Sequence, residues 1–446
     1  MSLAPQTQPP FPLREAHAHL GSLGLSLTLP TVAACGSMAE VLDAAKQACA
    51  GPGASQFCRI KGARPAGWSD SGGRWPTLAE FDSATGNTAC VLMSFDHHQA
   101  LANSAAMGAA GLTPGQKIGT HGEVLVDSEG KATGLLNEQA ANAAWDAAPQ
   151  PGPDALQAML MAACEHLHLL GYVEVHDLLS PAWLGPALGE LDQEGRLAVR
   201  VKLYAPAAEI AAQAAAAAEW QTEAVTLAGA KVFADGTLNA RTALMIHRYD
   251  LPVLGHPRGQ AMVSPMAIDE ILRQLDGMWN EATELPLGLA VHAIGDGAVK
   301  MVLDCVERVR PTKSRVRIEH CEVIDKVDVP RFAAMGVDCS VQPCHLLYDI
   351  EALQKYIPHR LDRVLPIREL LESGLLPGQL GQRAGDAAGL VFGSDVPIVP
   401  ADPRDSIQAA VHRRRVGMDA SGAIAPTQAI SESQAWACMA APRGRA

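Results

Sequence analysis

Leu287-Gly288-Leu289-Ala290-Val291-His292 is a short apolar run that stops on an imidazole, and Asp296–Val309 follows it with apolar residues at helical spacing. A run this short, apolar at successive positions, reads as a strand covered on both faces. Such strands belong to parallel sheets joined by helical crossovers. The same unit recurs along the chain: further runs lie at Leu13–His19, Tyr172–Asp177, Val199–Tyr204, Ala230–Asp235, Val316–His320, Val337–Gln342 and Leu390–Asp395. Helical patterns lie between several of them, at Pro181–Gly195, Ala207–Trp220, Pro265–Ala282, Lys326–Met335 and Asp402–Arg415. The alternation predicts an α/β fold with a parallel sheet. Eight strands in this pattern predict a (β/α)8 TIM-like barrel with its active residues at the C-terminal strand ends.

The stretch between the first two runs is too long for one crossover. It has strand-like pieces at Cys58–Ala63 and Cys90–Phe95, a helix at Met38–Ala50, and a hairpin pattern at Gly122–Val126 and Ala132–Leu136 around a turn at 127–130. A structureless loop of that length is implausible, so residues 21–150 are expected to form a lid-like subdomain inserted between strands 1 and 2 of a barrel over 13–20 and 151–446. Trp68 in the insert is expected in its core, and the basic run His412–Arg415 is expected to end a solvated helix.

Composition narrows the function. Of 446 residues 48% are hydrophobic and 19% charged, enough for a large core and unlike a disordered chain. Lys plus Arg number 35 against 48 Asp plus Glu, a net charge of −13, which argues against a nucleic-acid partner. No run of about 18 uncharged apolar residues suggests a membrane span, and Met1–Pro12 lacks the pattern of a secretory signal. The ten cysteines, without a Cys-x-x-Cys pair, read as reduced thiols serving as small core residues. A cytoplasmic enzyme with a small-molecule substrate is expected.

His17-Ala18-His19 closes the first run, and residues two apart on a strand point to one face, so both imidazoles can reach one metal. Lys231 sits between apolar neighbours in the fourth run, where an unpaired charge is costly. His292, His320 and Asp395 close the fifth, sixth and eighth. Each residue alone has an ordinary reading: a hydrogen-bonded core histidine, a turn cap, or a Lys231 ion pair with Asp235 or a neighbouring carboxylate. Converging on one barrel mouth, they form the imidazole and carboxylate set that Zn²⁺ and similar ions take, with positions left for water.

The order His-x-His, Lys, His, His, Asp resembles the amidohydrolase superfamily. Longer stretches resemble its amidohydrolase family 3 branch, which includes the N-substituted formamide deformylases: Gly229–Thr242, Ala290–Ala298, Arg317–His320, Ser340–Pro343, Gly393–Pro397, and in the insert Asp96–Ala106 and Gly134–Glu138. The resemblance covers about Arg14 to Ala441. It implies two divalent ions, zinc by donor type. His17, His19 and Asp395 would hold one ion, His292 and His320 the other, and Lys231, as its carbamate, would bridge them. It further implies a metal-bridging hydroxide that attacks an amide-type C–N bond, with Asp395 carrying the proton to the leaving nitrogen. Asp235, Arg241, Asp296, Gln342 and His345 are candidates for orienting substrate, and the insert offers His97 or His98.

Family members usually carry a flanking β-sandwich. With His17 so near the start, the sandwich is expected to be absent or vestigial, and a second copy of the chain in a homo-oligomer is expected to cover the exposed flank. Glu15 stands where the family has Asp, which puts barrel closure in question. Two rival readings stay open: a mononuclear deaminase, and a non-catalytic barrel kept as a binding scaffold.

Overall fold

The structure, a computed structural model, describes residues 9–50, 57–94, 99–119, 122–149, 151–253 and 255–442. The chain divides into two compact units, one taking residues up to Gly24 and from Leu156 onward, the other Leu25–Ala155.

The larger unit is built on parallel strands β1 (Leu13–Ala18), β2 (Tyr172–Asp177), β3 (Arg200–Pro206), β4 (Val225–Phe233), β5 (Gly288–Ala293), β6 (Val316–His320), β7 (Asp338–Val341) and β8 (Gly389–Phe392). They neighbour one another in chain order, and a two-residue strand, Leu376–Pro377, lies beyond β8 to complete a nine-stranded sheet. The sheet curls, and β1 is linked to the segment that follows β8. Beyond β8, Asp395 N–H donates to the His17 carbonyl at 2.7 Å, His19 N–H donates to the Val396 carbonyl at 2.9 Å, and Ala18 bridges Val396 in parallel. Every residue of β1, β5, β6, β7 and β8 is buried, which is why β5 and β8 read as apolar runs and why the charged residues of β1 and β6 lie in the interior.

Helices Leu184–Gln193, Pro265–Asp276, Asp296–Val309 and Pro403–His412 pack their apolar sides into the same core as the strands. Ser264 and Asp402 cap two of them, each accepting a backbone N–H, with Pro in the first turn. Close strand packing requires Gly229: a Cβ there would meet the Gly288 carbonyl oxygen at 2.1 Å.

Departures from expectation are local. β4 starts at Val225 rather than Ala230, and its alternating burial at that end hides the start from a search for apolar runs. β8 ends at Phe392, so Asp395 sits in a turn at φ 65°. The helix Pro153–Leu169 before β2 is not among those the pattern predicts. The basic run 412–415 is not a solvated helix end throughout. Arg413, with no exposed surface, caps the helix at φ 58° and donates to the carbonyls of Ile424 at 3.0 Å and Val364 at 2.7 Å. Burial pushes its guanidinium down to about 9.

The smaller unit has its own six-stranded sheet, in the order Phe57–Ala63, Ala89–Ser94, Gln99–Ala102, Ala132–Asn137, Gly122–Val126, Lys117–Ile118. The first pair is parallel and the rest are antiparallel. In the hairpin, Asp127 Oδ1 accepts from the Glu129 and Lys131 amides, and Gly130 takes φ 77°. Trp68 packs in this unit's core with Phe81 and Ile60.

Candidate metal centre

β1, β4, β5 and β6 and the turn after β8 bring His17, His19, Lys231, His292, His320 and Asp395 to one cavity of about 440 Å³, which His345 also lines. The strand period puts His17 and His19 on one face, with ring centroids 5.5 Å apart. His320 lies 4.7 Å from His17 and 4.4 Å from His292, centroid to centroid. His320 at φ 70° and Asp395 at φ 65° both hold left-handed backbone, a conformation that costs a non-glycine residue about 1–3 kcal/mol and concentrates at functional sites.

The protonation pattern follows from burial. The surroundings and nearby Lys231 push His17 down to about 4 and His292 to about 3, and burial with neighbouring imidazoles puts His320 well below its usual value. These rings are therefore neutral at pH 7, with lone pairs to offer. Burial alone would raise Asp395, but His17 and His19 outweigh it and hold the carboxyl well below its usual range. Lys231, 2% exposed, is lowered by burial to about 8. The Lys231–Asp235 pair weighed from the sequence is not among the ion pairs of the described residues.

One contact orients the centre. His17 Nδ1 lies 2.8 Å from Glu319 Oε2, and both groups are fully enclosed. A buried carboxylate accepts, so Nδ1 carries the proton and Nε2 is left with a lone pair. That Nε2 faces Asp395 Oδ1 at 3.4 Å, and the same oxygen lies 2.9 Å from His19 Nε2. Beyond the His19 contact Asp395 Oδ1 has no partner, and His320 Nδ1 is buried with none. Two acceptors aimed at each other repel unless a cation joins them, and a carboxylate behind the histidine is the usual support for a metal ligand.

The other candidates divide. His345 belongs to the cavity: its Nε2 donates to the Ser394 carbonyl at 3.1 Å, and its Nδ1 is 3.8 Å from Glu322. Burial would lower its pKa, but Glu322 and Asp395 raise it to about 9, so the ring is a cation. Gln342 is buried, with its amide nitrogen 3.4 Å from His17 Nδ1. Asp235 accepts from the amides of Leu244, Ile294 and Gly295, and burial lifts it to about 7. Asp296 accepts from the Ile246 amide and pairs with Arg360 at 2.6 Å. Arg241 donates to the Leu251 carbonyl and lies over Tyr356. Asp235, Arg241 and Asp296 thus hold loops around the cavity and do not line it. His97 and His98 lie outside the described residues.

Sequence reasoning assigned Glu319 no role and marked Glu15 only as a departure from the family. Glu319 stands two after Arg317 on β6, and the strand period that found His17 and His19 puts this acid and base on one inward face. Glu15 Oε1 accepts from the amides of His17 at 3.0 Å and Ser394 at 2.8 Å, and Oε2 from the Ser394 hydroxyl at 2.9 Å. The departure that put closure in question is itself a link between β1 and the segment after β8.

A model of the amidohydrolase family matches residues 12–440. The putative amidohydrolase YtcJ of Bacillus subtilis is 27% identical over 369 residues, covering 78% of this chain and 63% of that protein. The N-substituted formamide deformylase of Arthrobacter pascens is 22% identical over 380 residues, covering 81% and 65%, and Protein LONG AFTER FAR-RED 3 of Arabidopsis thaliana is 27% identical, covering 90% and 68%. The chain thus spans about two thirds of the length of these relatives. Among solved structures, an uncharacterized metal-dependent hydrolase from Pyrococcus furiosus matches with TM-score 0.73 at 26% identity, covering 95% of this chain and 79% of that one. Its counterpart from Pyrococcus horikoshii gives 0.74 at 24%, covering 95% and 78%.

Proposed function

Because this chain belongs to the amidohydrolase family, we propose that it is a hydrolase of amide-type C–N bonds whose curled sheet is a (β/α)8 barrel carrying a binuclear centre. The observation that carries the reading is the facing pair of acceptors, His17 Nε2 and Asp395 Oδ1 at 3.4 Å, backed by Glu319. The donor set fits divalent cations: neutral imidazoles, an ionised carboxylate, and orphaned lone pairs on His320 and Asp395. His17, His19 and Asp395 would hold one ion and His292 and His320 the other. When bound, such ions supply a water activated near neutral pH and polarise a carbonyl.

The chain's own residues do the rest. Lys231 is buried with its pKa lowered to about 8, so the free-amine form is within reach near neutral pH and can add CO2, losing a proton and becoming an anionic carbamate ligand in place of a costly buried cation. Asp395, kept ionised, can accept a proton. Its low pKa then makes it a ready donor to the leaving nitrogen. His345, a cation lining the same cavity, presents positive charge where a substrate carbonyl oxygen develops charge.

The test is amine release from a panel of N-substituted formamides, N-acyl amino acids and cyclic amides, with metal-replete protein, chelator-treated protein and Asp395→Asn. Hydrolysis of at least one class is expected, dependent on metal and reduced about 10²–10⁴-fold in the variant. No hydrolysis of any class by metal-replete protein, or undiminished hydrolysis by Asp395→Asn, overturns the proposal.

A further inference from the structure

Three thiols from three separate elements converge in the unit Leu25–Ala155. The helix Met38–Ala50 buries Met38, Val41, Ala45 and Cys49, a stripe at helical spacing that ends on a sulfur. Cys58 and Cys90 are each the second residue of neighbouring parallel strands, and the register pairs them, so both side chains stand on the same face of the sheet. The three Sγ atoms all lie within 4.8 Å of one another. Cys90 has no exposed surface, and Cys49 and Cys58 are 8% and 9% exposed.

We propose that Cys49, Cys58 and Cys90 form a binding site for one thiophilic divalent ion of the Zn²⁺ type, separate from the histidine-lined centre. Zinc–sulfur bonds of about 2.3 Å in a three-thiolate arrangement place the sulfurs about 4 Å apart, inside the observed limit. Val41, Ala45, Ile60, Phe81 and Leu92 belong to the same buried apolar cluster as the three cysteines. In binding, three S–H bonds break and three sulfur–metal bonds form. The three protons go to solvent, and the site ends with one net negative charge. A water would complete the four-coordinate shell that Zn²⁺ prefers. Soft sulfur donors select differently from the imidazole and carboxylate donors of the other centre, so one chain can keep two kinds of site loaded independently. Because its ligands come from a helix and two strands, the ion would pin that helix to the sheet.

The full-length chain, reduced and stripped of metal, is titrated with Cd²⁺ as an optical probe. Thiolate-to-cadmium charge transfer gives an ultraviolet band that histidine and carboxylate donors do not produce, and its intensity counts the thiolates. One equivalent is expected to raise a three-thiolate band that Zn²⁺ competes away, and Cys58→Ser should weaken that affinity at least about tenfold. In parallel, thiol alkylation of the unmutated chain with and without Zn²⁺, mapped by mass spectrometry, should show Cys49, Cys58 and Cys90 protected together, which decides the matter even where a variant fails to fold. Absence of the band, protection of other cysteines instead, or a disulfide between two of the three under conditions where Zn²⁺ is present overturns the proposal.

Discussion

Glu319→Gln separates a supporting role in metal binding from a merely structural one. Glu319 is wholly buried; its Oε2 lies 2.8 Å from His17 Nδ1 and 3.0 Å from Arg317 Nη2, while Oε1 pairs with Arg317 Nε. Glutamine keeps the shape but offers only one oxygen to these donors, and its amide N–H groups face donors in whichever orientation they take. If the amide faces His17, the ring turns to the tautomer that protonates Nε2, and the lone pair aimed at Asp395 is lost. Removing such a partner costs about 10–100-fold in metal affinity, which is about 1.4–2.8 kcal/mol. Arg317, 3% exposed, loses its anionic partner as well, a change that weakens folded proteins by up to about 3–5 kcal/mol. Metal competition against a chromophoric chelator measures the first effect, and urea unfolding of chelator-treated protein the second. Asp338→Asn is the control. It disturbs the buried Arg315–Asp338 pair, 2.6 Å apart and not lining the cavity, and should lower stability while leaving metal affinity unchanged. Metal affinity of Glu319→Gln within twofold of the parent, with stability lowered as in Asp338→Asn, would refute the orienting role.

Three further outcomes are expected. Lys231→Ala should lose metal from the centre, read by elemental analysis after dialysis with bicarbonate; full retention contradicts a bridging lysine. His345 has its pKa raised to about 9 from 6.5, so its stabilising contribution is complete below pH 6.5 and lost as pH rises through 9. Chelator-treated His345→Gln should therefore be weaker than the parent by up to about 3 kcal/mol at pH 6.5, with the gap closing by pH 10 in urea melts; a gap that widens with pH contradicts the assignment of the ring as a cation. Gly229→Ala forces a methyl to 2.1 Å from the Gly288 carbonyl oxygen, which backbone cannot yield cheaply, and should cost about 1–3 kcal/mol or more by chemical denaturation; an unchanged midpoint contradicts the close β4–β5 approach.

Much of the fold is legible because parallel strands buried on both faces show as apolar runs whatever their tertiary context, and His17, His292 and His320 fall where those runs stop. The alternating start of β4 and the left-handed turn at Asp395 do not follow such runs, so their boundaries escape the pattern. Glu319 escapes for a related reason. Attention to strand ends overlooks an acid one residue before the end, although Arg317 and Glu319 at strand period mark a shared inward face. Asp235 and Asp296 read as mouth residues because they follow strands, but loop amides hold the Asp235 oxygens, and the Ile246 amide and Arg360 hold those of Asp296. Arg413 likewise looks solvated in its basic run, and only the carbonyls of Val364 and Ile424, distant in sequence, account for its burial. Cys49, Cys58 and Cys90 share no spacing motif; a helix stripe and a strand register bring them together.

The central claim, a binuclear hydrolytic centre, is tested most directly by metal stoichiometry of chelator-free protein prepared with bicarbonate, with Cys58→Ser run alongside to subtract ions held by sulfur. About two divalent ions per chain remaining in that variant are predicted. About one would move the chemistry to a mononuclear deaminase-like centre, and none after reconstitution would contradict the account.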